Sequence, residues 1–343
     1  MRIAVDAMGG DHGPSVVVPG ALAGAREHKC DLMLFGDEMA IQAELARLDN
    51  TGIDIQVVHT TETVDMEDHP ANAVRRKQDN PISVGLKAVK DGQADAMVSA
   101  GNSGAVMAAA LMVLGRIKGI DRPAITGAVP NSEGGHTTVV DLGAVTDPKP
   151  LNMVQQAMMA DVYARRVLGI RNPRIGLMAN GEEDTKGNKL VQEVHPMLRR
   201  LEGINFIGNI EGPDVLNGRT DVVVVDGFSG NVMLKSIEGT ASMLMKVIRQ
   251  ELTASPMRKL FAAALKPAFK AVAKKLDYAS VGGAPLLGVD GPVIIAHGKS
   301  TEEAIKNAVG VGLRAAQQDM RGAIIERIES TRAAMVDATE ASS

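Results

Sequence analysis

Four short polar segments carry the side chains that could do chemistry, and each follows an apolar run. In the first, Asp6, Asp11 and His12 flank Gly9-Gly10; in the second, Ser99, Asn102 and Ser103 alternate with Gly101 and Gly104. The third holds Asp226, Gly227, Ser229 and Asn231, and the fourth sets Lys186 and Gly187 behind Asn180-Gly181-Glu182-Glu183-Asp184. A glycine-lined exit from a buried strand onto a helix start leaves backbone N–H groups without intrahelical partners, which suits an anion such as phosphate. Lys186 could hold a phosphate or a developing oxyanion. The Asn231 carboxamide could donate to a carbonyl oxygen without adding charge. Each segment also has a plainer reading. Asp6 and Asp11 can order a turn, Asn102 and Asn231 can cap helices, the three acids can hydrate a loop or bind a metal, and Lys186 can form a surface ion pair.

Motifs that would direct the chemistry elsewhere are missing from the sequence. It contains no Walker A segment and no Gly-x-Gly-x-x-Gly fingerprint, which demotes a nucleotide triphosphatase and an ordinary dinucleotide dehydrogenase. Gly-x-Ser-x-Gly and His-Glu-x-x-His are also absent, leaving serine-hydrolase and zinc-protease chemistry without support.

The elements that must position these residues are strand-like runs at 3–5, 32–35, 53–58, 96–98, 124–129, 137–141, 175–179, 204–207, 222–225 and 293–295. Most are separated by segments long enough for a helix. That alternation predicts βαβ units and an α/β fold with a mainly parallel sheet, its ligand lying across the carboxyl edge of the strands. Between 124–129 and 137–141 the segment Pro130-Asn131-Ser132-Glu133-Gly134-Gly135 reads as a hairpin turn, so an antiparallel excursion is expected there. No linker divides the chain, and we expect one domain over 1–330 with a frayed tail at 331–343.

Composition narrows the class. The 343 residues are 45% hydrophobic and 23% charged with a net charge of -4, which argues for a folded globular protein and against general nucleic-acid binding. Five Phe, two Tyr and no Trp leave little for base stacking. Cys30, the single cysteine, excludes an internal disulfide, fits a reducing cytoplasm and reads as structural. The N-terminus lacks the apolar core of a signal peptide, and the longest apolar run, 105–114, is too short to span a bilayer.

Residues 245–280 stand apart. Between Pro256 and Lys275 lie six basic residues and no acidic one, interleaved with Met257, Leu260, Phe261, Leu265, Phe269 and Val272. At helical spacing the apolar set shares one arc, opposite Lys259, Lys266, Lys270 and Lys274. Pro267 is expected to split the segment into two short helices. Such a pair could lie on an anionic membrane, receive an acidic protein, or pack on the core as an ordinary surface helix.

With these residues assembled, the chain resembles the PlsX family of phosphate acyltransferases from Met1 to about Arg321. The resemblance rests on Asp6-Ala7-Met8-Gly9-Gly10-Asp11, residues 98–105, Asp141-Leu142-Gly143-Ala144, Asn180-Gly181-Glu182-Glu183 with Lys186-Gly187, residues 226–232, Gly282-Gly283-Ala284-Pro285-Leu286-Leu287-Gly288 and His297-Gly298. Two departures stand out: Val145 occupies a position where the family usually has Asn, and the carboxamide of Asn180 is shifted by one residue. The resemblance implies a cytoplasmic homodimer with a three-layer α/β/α fold similar to phosphotransacetylases and isocitrate dehydrogenases, plus a protruding helical pair that meets the inner face of the membrane. It implies transfer of a long acyl chain from acyl carrier protein to inorganic phosphate, giving an acyl phosphate that a membrane glycerol-3-phosphate acyltransferase consumes.

The same resemblance marks Lys186 and Asn231 as catalytic. Asp6, Gly9, Gly10, Asp11, His12, Ser99, Gly101, Asn102, Ser103, Gly104, Asp226, Gly227 and Ser229 are then expected to hold phosphate or the carrier arm, and Met257, Leu260, Phe261, Leu265 and Phe269 to touch lipid or a partner. No cofactor and no metal are expected. The rival readings are a soluble phosphotransacetylase using acyl coenzyme A and a non-catalytic membrane scaffold.

Overall fold

A computed structural model describes the backbone of residues 1–276 and 282–340 and the side chains of 1–272 and 282–331. The Lys274 side chain, the end of the 245–280 segment and residues 341–343 lie outside the described residues. Within them, β1 (Arg2–Asp6), β2 (Asp31–Gly36), β3 (Ile55–His59), β4 (Ala96–Ser99), β5 (Ala124–Pro130), β6 (His136–Val140), β7 (Arg174–Met178), β8 (Asn205–Ile210), β9 (Val222–Val224), β10 (Ala284–Leu287) and β11 (Val293–Ile295) form one sheet. Its order is β3-β2-β1-β4-β11-β10-β5-β6-β9-β7-β8. The helices are α1 (Pro14–His28), α2 (Glu38–Leu45), α3 (Pro70–Arg76), α4 (Pro81–Lys90), α5 (Ser103–Val113), α6 (Pro150–Arg166), α7 (Lys189–Arg200), α8 (Gly212–Asn217), α9 (Gly227–Leu252), α10 (Pro256–Leu276), α11 (Glu302–Gln317) and α12 (Met320–Glu340).

Strands β1, β4 and β9 are buried on both faces, as continuous apolar runs demand. Alternation splits their side chains: Ile3 and Val5 join residues of α1 and α11 on one side, while Ala4 and Met97 join α4 and α5 on the other. The second half repeats the arrangement, with α6, α7 and α12 on one face and Ile210, Val215 and Val223 clustered on the other. The result is the expected three-layer α/β/α sandwich. Each fully buried Ile or Leu contributes about 1.5–3 kcal/mol. Helices α1 and α11 cross closely because Gly20 and Gly24 present no side chain; a Cβ on Gly20 would lie 2.7 Å from the Glu302 carbonyl oxygen.

Seven of the ten strand pairings are parallel, and the hairpin between β5 and β6 is antiparallel as its turn predicts. One strand was not legible. β10 pairs antiparallel with both β11 and β5, and its Ala284-Pro285 start carries little strand signal. Together β10 and the β5–β6 hairpin reverse the sheet, so β6, β9, β7 and β8 run opposite to β3, β2, β1, β4 and β11. The candidate loops therefore leave two carboxyl edges rather than one.

The segment after residue 245 also differs from expectation. Its break falls at Thr253–Ser255, between α9 and α10, and Pro267 sits inside an unbroken α10. A proline removes one helical hydrogen bond; the freed carbonyl belongs to Ala263, which is exposed and can be hydrated. Helix α10 packs on α9, leaving Met257, Leu260, Phe261 and Leu265 exposed and Phe269 half-buried. An ordinary core-packed helix is thereby set aside. At the C-terminus α12 is helical through Glu340, where a frayed tail from 331 was expected. Cys30 is buried and its thiol is pushed up to about 11 by desolvation, as suits a structural residue. Among the described residues no helix is long and apolar enough to cross a membrane.

Candidate active site

At the carboxyl ends of β1 and β4, Asp6 and Ser99 are register partners. Asp6 is buried; it accepts the Ser99 hydroxyl at 2.7 Å and the Met8 N–H at 3.1 Å, and burial raises its carboxyl above the usual range. The Ser99 hydroxyl oxygen in turn accepts Gly101 N–H at 3.1 Å. Gly9 closes this cluster because a Cβ there would lie 2.6 Å from Gly101 N and 2.7 Å from Asp6 Oδ2. These groups lock two strand exits together.

Asp6, Gly9, Gly10 and Gly101 line a small cavity of about 160 Å³ with Thr63, Asp65 and Met66. Two carboxyl groups and no cation face that space, which disfavours the phosphate expected there. Asn102 is committed to structure: it caps α5 by accepting Ala105 N–H at 3.1 Å and donates to the Met66 carbonyl at 2.9 Å. Asp11 N–H donates to the Gly298 carbonyl at 2.7 Å, and the His12 carbonyl accepts Ser15 Oγ–H at 2.8 Å. The first loop thus braces the exit of β11.

On the other half Asp141 plays the organising part. Its buried carboxylate accepts four backbone N–H groups, from Ile125, Gly143, Ala144 and Val145, at 2.7–3.1 Å. Desolvation raises its pKa despite those donors. Val145 contributes only backbone to this turn, and its carbonyl accepts Gly227 N–H at 3.0 Å. Asp226 caps α9 through Ser229 N–H at 2.8 Å. Asn231 follows on the first turn, exposed, its carboxamide lying over Gly143.

A central cleft of about 380 Å³ joins the two halves over the reversed strands. Met107, Ile125, Leu142, Leu234 and Ile295 give it an apolar wall. Ser103 and Gly104 at the start of α5, Gly143, Asn231, Lys235, Glu238, His297 and Ser300 supply polar groups. Lys235 donates to Glu238 Oε2 at 2.8 Å. His297 Nδ1 accepts Lys299 N–H at 3.1 Å, so the neutral ring carries its proton on Nε2. Burial, then the Lys235 and Lys299 charges, lower the His297 pKa, against the opposing pull of Glu238 and Asp11. Polar groups and an alkyl-lined wall share one cavity.

The structure brings Ser103, Gly104 and Asn231 into this cleft and leaves Lys186 elsewhere. Lys186 is exposed over Gly181, in an open depression lined also by Asn180, Glu182, Glu183 and Glu211. Asn180 shapes that loop by accepting Gly187 N–H at 2.9 Å. No cluster of three or more His, Cys, Asp or Glu among the described residues could hold a metal ion. Lys235, Glu238 and Ser300 were missed by sequence reasoning, as was a site role for His297. The signal for His297 was present, since Val293–Ala296 followed by His-Gly repeats the apolar-run-to-glycine pattern. Lys235 and Glu238 needed only the helical spacing from Asn231, which places all three on one face of α9.

Comparison with known proteins identifies the family. A family model described as "Fatty acid synthesis protein" matches residues 1–322. The phosphate acyltransferase of Pelotomaculum thermopropionicum is 48% identical over 331 residues, covering 96% of this chain and 95% of the relative. That of Geobacter sulfurreducens is 47% identical over 330 residues, with coverage of 96% and 95%. Among solved structures, a phosphotransacetylase from Streptococcus pyogenes aligns with a TM-score of 0.63 at 19% identity, over 92% of this chain and 94% of that one. The EutD phosphotransacetylase from Staphylococcus aureus gives 0.60 at 16%, with the same coverage; at such identity these two speak for the fold. The chain belongs to the phosphate acyltransferase family and is an enzyme that transfers an acyl group to phosphate.

Proposed function

We propose that the acyl donor is a long-chain acyl thioester of acyl carrier protein and that the acyl phosphate formed feeds phospholipid synthesis. The observation that carries this reading is the central cleft, where an apolar wall of Met107, Ile125, Leu142 and Leu234 stands beside Asn231, Lys235 and the N-terminus of α5. The wall suits an alkyl chain, and the unpaired N–H groups at Ser103 and Gly104 with the Lys235 ammonium suit phosphate. A phosphate oxygen attacks the thioester carbonyl carbon, a C–O bond forms and the C–S bond breaks. The hydrogen-phosphate proton ends on the departing thiol, which balances the reaction without an enzyme nucleophile.

Asn231 donates to the carbonyl oxygen as it gains negative charge. Lys186 stands outside the cleft of a single chain, and we assign it no contact with the reacting atoms in this arrangement. The exposed apolar face of α10, with Arg258, Lys259, Lys266 and Lys270 also exposed, fits an anionic lipid surface. The protein then acts as a cytoplasmic homodimer attached to the inner membrane face, handing its product to a membrane glycerol-3-phosphate acyltransferase.

Release of free carrier protein from palmitoyl carrier protein, with and without inorganic phosphate and beside palmitoyl coenzyme A, tests the donor. Phosphate-dependent release from carrier protein supports the reading. Release from coenzyme A alone favours a phosphotransacetylase, and release from neither returns the scaffold.

A further inference from the structure

We propose that Gly127 and Leu142 set the length of acyl chain the enzyme accepts, Gly127 being the notch that keeps Leu142 out of the acyl path; this rests on the reading that the chain lies against the apolar wall of the central cleft. Both residues line the cleft and both are half-buried, so they meet its space directly. Alternation along β5 puts Ile125, Gly127 and Val129 on one face, and Gly127 pairs across the hairpin with Val139. Val129 and Val139 belong to the buried cluster on which Leu142 and Leu234 pack. Leu142 and Leu234 therefore floor the apolar end of the cleft, with Gly127 beneath Leu142.

The Gly127 backbone has an extended strand conformation, outside the left-handed region, so conformation does not demand a glycine. What the position needs is space. A Cβ there would lie 2.6 Å from Leu142 Cδ1, and among the described residues no other group beyond its chain neighbours comes within 4 Å of it. Leu142 thus fills the volume that a side chain at 127 would take, the kind of close approach a strand glycine often marks. Its backbone is tied to β5: Leu142 N–H donates to the Ile125 carbonyl at 2.9 Å, and Asp141 Oδ1 accepts Ile125 N–H at 3.0 Å. A Leu142 side chain driven off Gly127 must then swing while its backbone stays, and the free volume beside it is the cleft. The far carbons of a long chain lose that space, whereas a short chain never reaches it.

Competition between decanoyl and palmitoyl carrier protein in one reaction with inorganic phosphate, with consumption of each donor read by mass spectrometry, gives a ratio of kcat/KM values that does not depend on the amount of active enzyme. Gly127→Ala is expected to raise the decanoyl-to-palmitoyl ratio about 10-fold or more, the scale of a methylene-sized change in a hydrophobic pocket. Leu142→Ala is expected to lower it. Once Leu142 is replaced, residue 127 has nothing to displace, so adding Gly127→Ala to Leu142→Ala is expected to leave the ratio where Leu142→Ala sets it. A Gly127→Ala shift of equal size with and without Leu142 overturns the proposal, as does a wild-type ratio in either single variant. Leu142→Ala only removes atoms, and it decides alone should Gly127→Ala not fold. A wild-type enzyme that transfers neither chain to phosphate overturns the underlying reading, and the proposal with it.

Discussion

Gly230 and Asp141 touch backbone to backbone: a Cβ on Gly230 would overlap the Asp141 carbonyl oxygen. This contact seats the first turn of α9 against the exit of β6, and Asn231 is the next residue along. Gly227 makes the same approach to Val145, where a Cβ would lie 2.6 Å from the carbonyl oxygen. Gly230→Ala should therefore cost about 3 kcal/mol or more, since backbone cannot give way as a flexible side chain would. Urea unfolding and kcat, measured together, should both fall. An unchanged kcat in a folded variant would show that the docking of α9 does not position Asn231.

The cluster around Asp6 predicts a pH dependence of stability. Its folded pKa lies above the unfolded value of 3.8, so its contribution is fully present below 3.8 and is lost as pH rises through the raised pKa. Asn at this position keeps an acceptor for Met8 N–H and cannot ionise. The stability of the wild type minus that of Asp6→Asn should accordingly decline as pH rises above 3.8 and through the raised pKa. A pH-independent difference in chemical denaturation would contradict the assignment.

Leu260 and Phe261 are 69% and 63% exposed on α10. Burying each apolar side chain in lipid is worth about 1.5–3 kcal/mol. Replacing both with Glu also sets new negative charge against anionic headgroups. The double variant should lose binding to phosphatidylglycerol vesicles in a flotation assay while keeping turnover with soluble palmitoyl carrier protein. Retained vesicle binding would remove α10 from the membrane contact.

Much of this architecture was legible because buried parallel strands announce themselves: Val222–Val224 and Ile3–Val5 read as strands without further information, and Pro130–Gly135 read as a turn. What escaped was set by long-range pairing. β10 opens with Ala284-Pro285 and is a strand because β11 and β5 flank it, a fact local propensity does not contain. Its antiparallel placement, with the hairpin, turns half of the sheet around, so loops that look alike in sequence leave oppositely running strands, and those carrying Ser103 and Asn231 meet in the central cleft. Pro267 reads as a helix break, yet the helix continues because its freed carbonyl is exposed. In the site, Asn231 was found from its loop, whereas Lys235 and Glu238 became visible once α9 was seen to line the cleft. Asn102 looked like a ligand residue and is a cap, because a carboxamide at a helix start satisfies either demand.

The central claim is that phosphate takes the acyl group in the cleft beside Asn231. Formation of acyl phosphate from inorganic phosphate and palmitoyl carrier protein can be followed by phosphorus NMR, comparing the wild type, Asn231→Ala and Lys186→Ala. The account predicts product with the wild type, a kcat lower by about 10²–10³-fold for Asn231→Ala through loss of one oxyanion donor, and a smaller loss for Lys186→Ala. Acyl phosphate formed by Asn231→Ala at the wild-type rate, or a larger loss for Lys186→Ala, would move the chemistry out of this cleft and contradict the account.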